Sequence, residues 1–257
     1  MLGGEDRAVA EREAGARGLT AGSRNVGPWI TLLKWSTIAA VVSVALVSVF
    51  AGIIPPLVVF ALVWIGGVIW LGRSTKGPAI LLLVSFIAYI LLSGPFIVPT
   101  LTVPASAGDF ILNLGSLIAV LVGVIAAIAI LRGRSGVSRT ARSIGLAAIV
   151  LFLVGTLVSV FATVTREDAV AQEGDLRLVA EDISFRDTSL EADAGDVSVF
   201  VDNKDGTLHT FTIDELDIDL DIPASTSSRV TFEAEPGTYE FYCVPHATDM
   251  KGTLTVE

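Results

Sequence analysis

The sequence predicts an α-helical transmembrane bundle of about five helices followed by a small all-β sandwich, and three observations predict it. Residues 29–165 are almost unbroken apolar sequence, whereas residues 166–257 are polar and alternate in the manner of strands. Charge divides at the same place: residues 166–257 carry 22 acids and 6 bases (net −16), the first 165 carry 5 acids and 11 bases (net +6). Both histidines, the single cysteine and the one internal methionine all lie in the acidic part, between positions 209 and 250. A charge asymmetry of this size marks units in different surroundings. A surface so acidic repels phosphate, so nucleic acid is not an expected partner. The expected organisation is a cytoplasmic tail at 1–28, a five-helix anchor at 29–165, a linker at 166–174 and a β domain at 175–257.

The first 28 residues mix Glu5, Asp6, Glu11 and Glu13 with Arg7, Arg12, Arg17 and Arg24. They lack the basic start, short apolar core and small-residue site of a cleaved signal, and read as a tail. From Trp29 onward the apolar runs reach the ~20 residues that a bilayer core requires. Five spans are expected near 31–53, 55–72, 79–99, 110–131 and 143–164. Pro55-Pro56 divides the first long run, and Pro78 and Pro104 are read as turns between spans. Arg73 and Lys76 follow the second span; Arg132, Arg134, Arg139 and Arg142 follow the fourth; the other two loops carry only Asp109. The positive-inside rule therefore makes the tail and the basic loops cytoplasmic. An odd number of spans then puts the C-terminal domain on the extracytoplasmic face of a multi-pass cell-membrane protein in contact with the lipid bilayer.

Nothing in the spans points to chemistry. Their only ionisable residues, Lys34 and Asp109, sit near span ends. Gly115, Ala119, Gly123 and Ala127 recur every four residues on the fourth span, as do Gly155, Ser159 and Thr163 on the fifth. Small residues at that spacing let helix backbones approach closely, so packing is the expected role.

The acidic region reads as short strands. Alternation is clear at 197–201, 209–213, 229–233, 237–243 and 252–257, with shorter strands near 176–180, 183–186, 189–192 and 218–222. Turn signals such as Asp205-Gly206 and Pro236-Gly237 separate them, the pattern of a small sandwich.

One cysteine excludes an intrachain disulfide, leaving Cys243 free, catalytic or metal-bound. Taken singly, a lone cysteine is ordinarily a small buried hydrophobe, and a lone histidine or methionine is ordinarily structural. Taken together, two imidazoles, a thiolate and a weak thioether are the ligand set of a mononuclear blue-copper site. His209 begins one predicted strand, Cys243 ends another, and His246 and Met250 lie in the loop that follows. Zinc is the rival metal, but a structural zinc normally takes four strong ligands, and the thioether favours copper. A binuclear copper centre needs a second cysteine, which the sequence lacks.

Two segments carry a family resemblance. Pro236-Gly-Thr-Tyr-Glu-Phe-Tyr-Cys-Val-Pro-His-Ala-Thr-Asp-Met-Lys-Gly-Thr-Leu-Thr-Val256 resembles the C-terminal signature of cupredoxins of the plastocyanin and amicyanin type. Asn203-Lys-Asp-Gly-Thr-Leu-His-Thr-Phe211 resembles their upstream histidine motif. The resemblance covers about residues 175–257 and implies a cupredoxin-like Greek-key sandwich. The two-residue gap from Cys243 to His246 is that of both subfamilies. The three-residue gap from His246 to Met250 lies between the shorter amicyanin and the longer plastocyanin pattern.

The resemblance implies one copper ion per chain, cycling between two oxidation states, with Cys243, His209 and His246 as strong ligands and Met250 as the long axial one. Electrons are expected to pass at the edge of the His246 ring, beside Val244, Pro245 and Ala247. Asn203 and Thr210 are candidates for supporting the ligands from behind. The expected function is a membrane-anchored electron carrier rather than an enzyme, serving a redox protein on the outer membrane face such as a respiratory cytochrome or an oxidase. The alternative is an extracytoplasmic copper-binding protein for sensing, delivery or storage; Met-rich or His-rich tracts would favour it, and the sequence has neither. The acidity fits either steering of a basic partner or solvation in saline surroundings.

Overall fold

The structure, a computed structural model, describes residues 27–50, 54–133 and 138–257. Residues 1–26 of the expected tail, the end of the first expected span (51–53) and Arg134 of the basic loop lie outside the described residues.

Five helices come first: α1 (Gly27–Phe50), α2 (Pro55–Leu71), α3 (Lys76–Thr102), α4 (Ala107–Leu131) and α5 (Ser138–Thr165). All but α2 are long and apolar enough to cross a membrane; α2 has 17 residues and is shorter. Pro55 and Pro56 open α2, where a missing N–H removes no helix bond. Pro78, expected at a turn, instead lies in the first turn of α3, for the same reason. Pro95 and Pro99 are inside α3, which nevertheless runs on to Thr102. Neighbouring helices make such interruptions tolerable in a bundle.

Helix α4 is central and packs against α1, α3 and α5. Its small residues allow this. A Cβ on Gly123 would lie 2.4 Å from the Phe86 ring, and one on Gly155 of α5 would lie 2.2 Å from Leu114. Ala119 and Ala127 are buried. Two polar bonds cross between helices, Trp64 Nε1 to Ser85 Oγ at 3.0 Å and Tyr89 Oη to Ser116 Oγ at 3.1 Å. Large apolar side chains such as Leu91, Leu157 and Phe161 face outward, the arrangement that a lipid environment solvates.

The remainder is a sandwich of nine strands: β1 (Leu176–Glu181), β2 (Ser184–Phe185), β3 (Ser189–Ala192), β4 (Gly195–Asn203), β5 (His209–Ile213), β6 (Ile218–Ile222), β7 (Ser227–Ala234), β8 (Gly237–Tyr242) and β9 (Lys251–Val256). One sheet has the order β2-β1-β4-β7, the other β3-β9-β8-β5-β6. β1 runs parallel to β4 and β3 to β9; the other pairs are antiparallel. Leu178, Val199 and Val201 from the first sheet meet Phe211, Phe241 and Leu254 from the second, all fully buried. Cys243 and Met250 belong to that same cluster. Alternation in β5 leads one to expect Thr210 and Thr212 at the surface, yet all five residues of β5 are buried. The threonines are satisfied by each other at 3.0 Å and by Asp219, which accepts from Thr212 at 2.8 Å.

Candidate metal centre

The site forms where β5 begins and the β8–β9 hairpin turns. Tyr242 pairs with Lys251, so residues 243–250 are the hairpin's connection. Cys243 N–H donates to the Met250 carbonyl at 3.0 Å and closes the loop on itself. Inside it, Val244–His246 make one 3-10 turn, with Pro245 in its first positions and His246 N–H donating to the Cys243 carbonyl at 3.0 Å. A single turn places His246 over Cys243, which is why a gap of two residues serves both as ligands. β5 lies beside β8 and brings in His209 from another part of the chain.

Three donor atoms converge. His209 Nδ1 and His246 Nδ1 are 3.2 Å apart, Cys243 Sγ is 3.6 Å from the first and 3.5 Å from the second. A point equidistant from all three lies about 2.0 Å from each, close to ordinary metal–nitrogen and slightly short of metal–sulfur bond lengths. Among the described residues this His–Cys–His set is the one such group able to hold a metal ion. His209 and Cys243 are fully buried and His246 partly so. Met250 is fully buried at the end of the same loop.

The groups behind the donors are specific. The unused ring nitrogen of His209, Nε2, bonds Asp205 Oδ2 at 2.8 Å. Asp205 also accepts from the backbone N–H groups of Asp182 and Ile183, at 2.9 and 3.0 Å. Those two residues form the β1–β2 turn with φ of 55° each, an uncommon conformation for a β-branched residue. Thr210 N–H points at Cys243 Sγ (3.3 Å), and its hydroxyl accepts from Val244 N–H at 2.8 Å. Asn203 touches no donor directly. Its amide donates to the carbonyls of Thr207, Ile222 and Pro223, tying down the loop that leads to His209.

Burial governs the charges. It pushes the Cys243 thiol above its ordinary value, against the opposing bond from Thr210 N–H. It pushes His209 down despite Asp205, and, with His209 as a second cause, takes His246 down to about 4. Burial would raise Asp205, but its bonds from Ile183, His209 and Asp182 outweigh that and leave it below the usual carboxylate value. At neutral pH the site therefore presents two neutral imidazoles and a thiol whose proton is released when a metal binds.

Asp205 and Thr207 were not singled out from the sequence. The signal for Asp205 was present, an acid four residues before a histidine, but Asp-Gly reads first as a turn. Val244, beside the His246 edge, is exposed, and the 3-10 turn lies against α3, so this face looks partly toward the bundle.

Residues 150–256 match the family model of the cupredoxin-like domain, a match that begins inside α5. A plastocyanin from Prochlorothrix hollandica is 34% identical over 83 residues, spanning 28% of this chain and 63% of the plastocyanin's length. Among solved structures, amicyanin from Paracoccus versutus (Thiobacillus versutus) is 17% identical with a TM-score of 0.29, over 34% of this chain and 85% of its own. A reduced mutant of amicyanin is 19% identical with a TM-score of 0.30, over 34% and 86%. The β region is a cupredoxin-like domain following a helical region. The two imidazoles and the thiolate are a donor set that fits copper.

Proposed function

We propose that this protein is a membrane-anchored mononuclear blue-copper electron carrier working on the outer face of the membrane. The observation that carries the reading is the His209–Cys243–His246 triangle, with donor atoms 3.2 to 3.6 Å apart, in a cupredoxin-like domain joined to four apolar helices. His209 Nδ1, His246 Nδ1 and Cys243 Sγ would hold the ion strongly, and Met250 would add a weak thioether contact. Copper, when bound, would supply a one-electron couple whose potential the thioether and the surroundings of the sulfur adjust.

The chain's own residues supply everything else. Asp205 holds the His209 ring in one tautomer and orientation through Nε2, which leaves Nδ1 free as a donor. Thr210 N–H offers a hydrogen bond to the sulfur, and its hydroxyl fixes the start of the 3-10 turn through Val244 N–H. Burial of His209, Cys243 and Met250 keeps water away from the donors. The bonds that fix His209 and the 3-10 turn leave the donors little freedom to rearrange, which suits electron exchange.

The basic loops, with the shorter apolar α2 crossing as a fifth span, support an extracytoplasmic position for this domain, units 29–165 and 175–257 acting as anchor and carrier. Anchoring keeps the carrier near a membrane-bound redox partner such as a cytochrome or oxidase, in place of diffusion from solution. Full-length protein in detergent, loaded with Cu(II), is expected to show an intense visible thiolate-to-copper band that Cys243→Ser abolishes. A colourless loaded protein would overturn the reading.

A further inference from the structure

The cupredoxin-like domain is bonded to the helical bundle at the very segment that delivers His209. The contact starts from the loop between α3 and α4. Ser106, fully buried, accepts from Ala224 N–H at 3.3 Å and donates to Asp109 Oδ2 at 3.1 Å. Asp109, in the first turn of α4, accepts from Leu208 N–H at 2.5 Å and from the Thr207 hydroxyl at 3.1 Å. Arg166, just beyond α5, donates to the carbonyls of Ala105 (2.6 Å) and Ala224 (3.3 Å), on either side of the junction. Ser159 and Thr163 of α5 bond the Pro104 and Ala105 carbonyls at 2.7 and 3.1 Å, so the loop that presents Asp109 is itself held from behind.

One peptide group is gripped from both sides. The Thr207 carbonyl and the Leu208 N–H belong to the same peptide plane. Asn203 of the sandwich donates to the carbonyl at 2.9 Å, and Asp109 of the bundle accepts from the N–H. His209 is the next residue, and its far ring nitrogen is held by Asp205. Both Thr207 and Leu208 are buried, so water competes poorly for these groups. A hydrogen bond to a charged acceptor in such a setting is among the stronger ones a protein makes.

We propose that Asp109 is a positioning residue for the copper site, contributed by the membrane bundle. Its carboxylate fixes the Thr207–Leu208 peptide and thereby the backbone from which His209 projects. It also seats the domain with its 3-10 turn against α3. The metal-binding geometry is then a property of the whole chain, and the bundle is part of the site's scaffold as well as its anchor. This rests on the reading of His209 as a ligand, so the test has one arm that needs no metal.

In metal-free full-length protein in detergent, Asp109→Ala is expected to raise hydrogen exchange of the Leu208 amide by about ten- to a hundredfold, the range for losing a bond to a charged acceptor. Exchange across the β4–β7 ladder is expected to stay unchanged. In Cu(II)-loaded protein the same variant is expected to shift the EPR parameters and the reduction potential, with Asp109→Asn intermediate because its carbonyl oxygen still accepts one bond. Thr207→Val, which leaves Asp109 in place, tests the contact from the sandwich side. It is expected to shift the same readouts in the same direction by less, and to add nothing in the Asp109→Ala background. Should Asp109→Ala fail to fold, Thr207→Val decides alone. Unchanged Leu208 exchange with unchanged spectra would overturn the proposal. Changed exchange in a protein that binds no copper would preserve the clamp and overturn the copper reading instead.

Discussion

The bundle and the sandwich close their cores by different means. In the bundle, small residues of α4 (Ala119, Gly123, Ala126 and Ala127) lie at the helix contacts and let it approach neighbours that bury Trp64, Phe86 and Leu82, while Leu91, Leu157 and Phe161 lie outside. In the sandwich the large residues are inside, with the Phe211 and Phe241 rings 5.2 Å apart and Phe185 against Phe241 at 5.5 Å, and the acids are outside. Water explains the second pattern, because burying aromatic area is what drives the sheets together. It does not explain the first, since lipid is as apolar as a leucine side chain and close backbone approach must do the work. Hence added bulk tests the α4 contacts of the bundle, and removed bulk tests the core of the sandwich.

The largest effects break each core in its own way. Phe211→Ala is expected to cost the sandwich about 3–5 kcal/mol, read as a lowered midpoint of its β-sheet circular dichroism during chemical unfolding, with helical signal retained. Gly123→Leu is the inverse test. Its side chain meets the Phe86 ring at once, and overpacking of this kind costs about 1–3 kcal/mol. Helical unfolding in detergent should fall while the copper band stays. A loss of the band in Gly123→Leu would mean that the two units are coupled more widely than through the α3–α4 loop.

Smaller effects sharpen the contrast between a carboxylate that backs a candidate ligand and one that ties the linker to a strand. Asp205→Asn removes the carboxylate behind His209 and is expected to weaken copper binding about 10- to 100-fold, measured by chelator competition on the full chain. An unchanged affinity would leave Asp205 a turn residue only. Asp175 accepts a two-pronged bond from Arg229, Nε at 3.0 Å and Nη2 at 2.8 Å, where the linker enters β1. Its bond from Arg229 holds Asp175 below the ordinary carboxylate value. A depressed carboxylate stabilises the fold above its unfolded pKa, near 3.9, and loses that contribution as pH falls through the folded value. Asp175→Asn is therefore expected to be modestly less stable than the parent at pH 7, with the gap closing in strong acid. A constant gap in an acid titration would show that the bond does not depend on the charge.

The strand pattern was legible because a two-residue period records which face meets a core, and short turns such as Pro236-Gly237 punctuate it. The hidden threonines of β5 were not, because alternation cannot distinguish solvent from a second buried polar layer. Helix ends were read too short on α3 and α5, since Pro78 and Arg139 look like turn residues although both fit a helix's first turn. The candidate donors stood out by rarity and spacing: Cys-x2-His-x3-Met lies within one hairpin loop, and His209 comes from elsewhere. Asp205 was visible as a residue but not as a partner. Asp109 was visible only as a lone acid at a span's end.

By itself, then, the sequence determined the two materials of this protein, an apolar bundle and an acidic sandwich, and singled out His209, Cys243, His246 and Met250 as candidate donors. Those follow from composition and local period, which each residue carries with it. Only the tertiary structure decided that Asp205 backs His209, that Thr210 reaches the sulfur, and that Asp109 from the bundle holds the peptide before His209, with its nearest partner 99 positions away. Hydrogen bonds between segments so far apart depend on how sheets and helices come to rest against each other, and no local pattern in the chain encodes that.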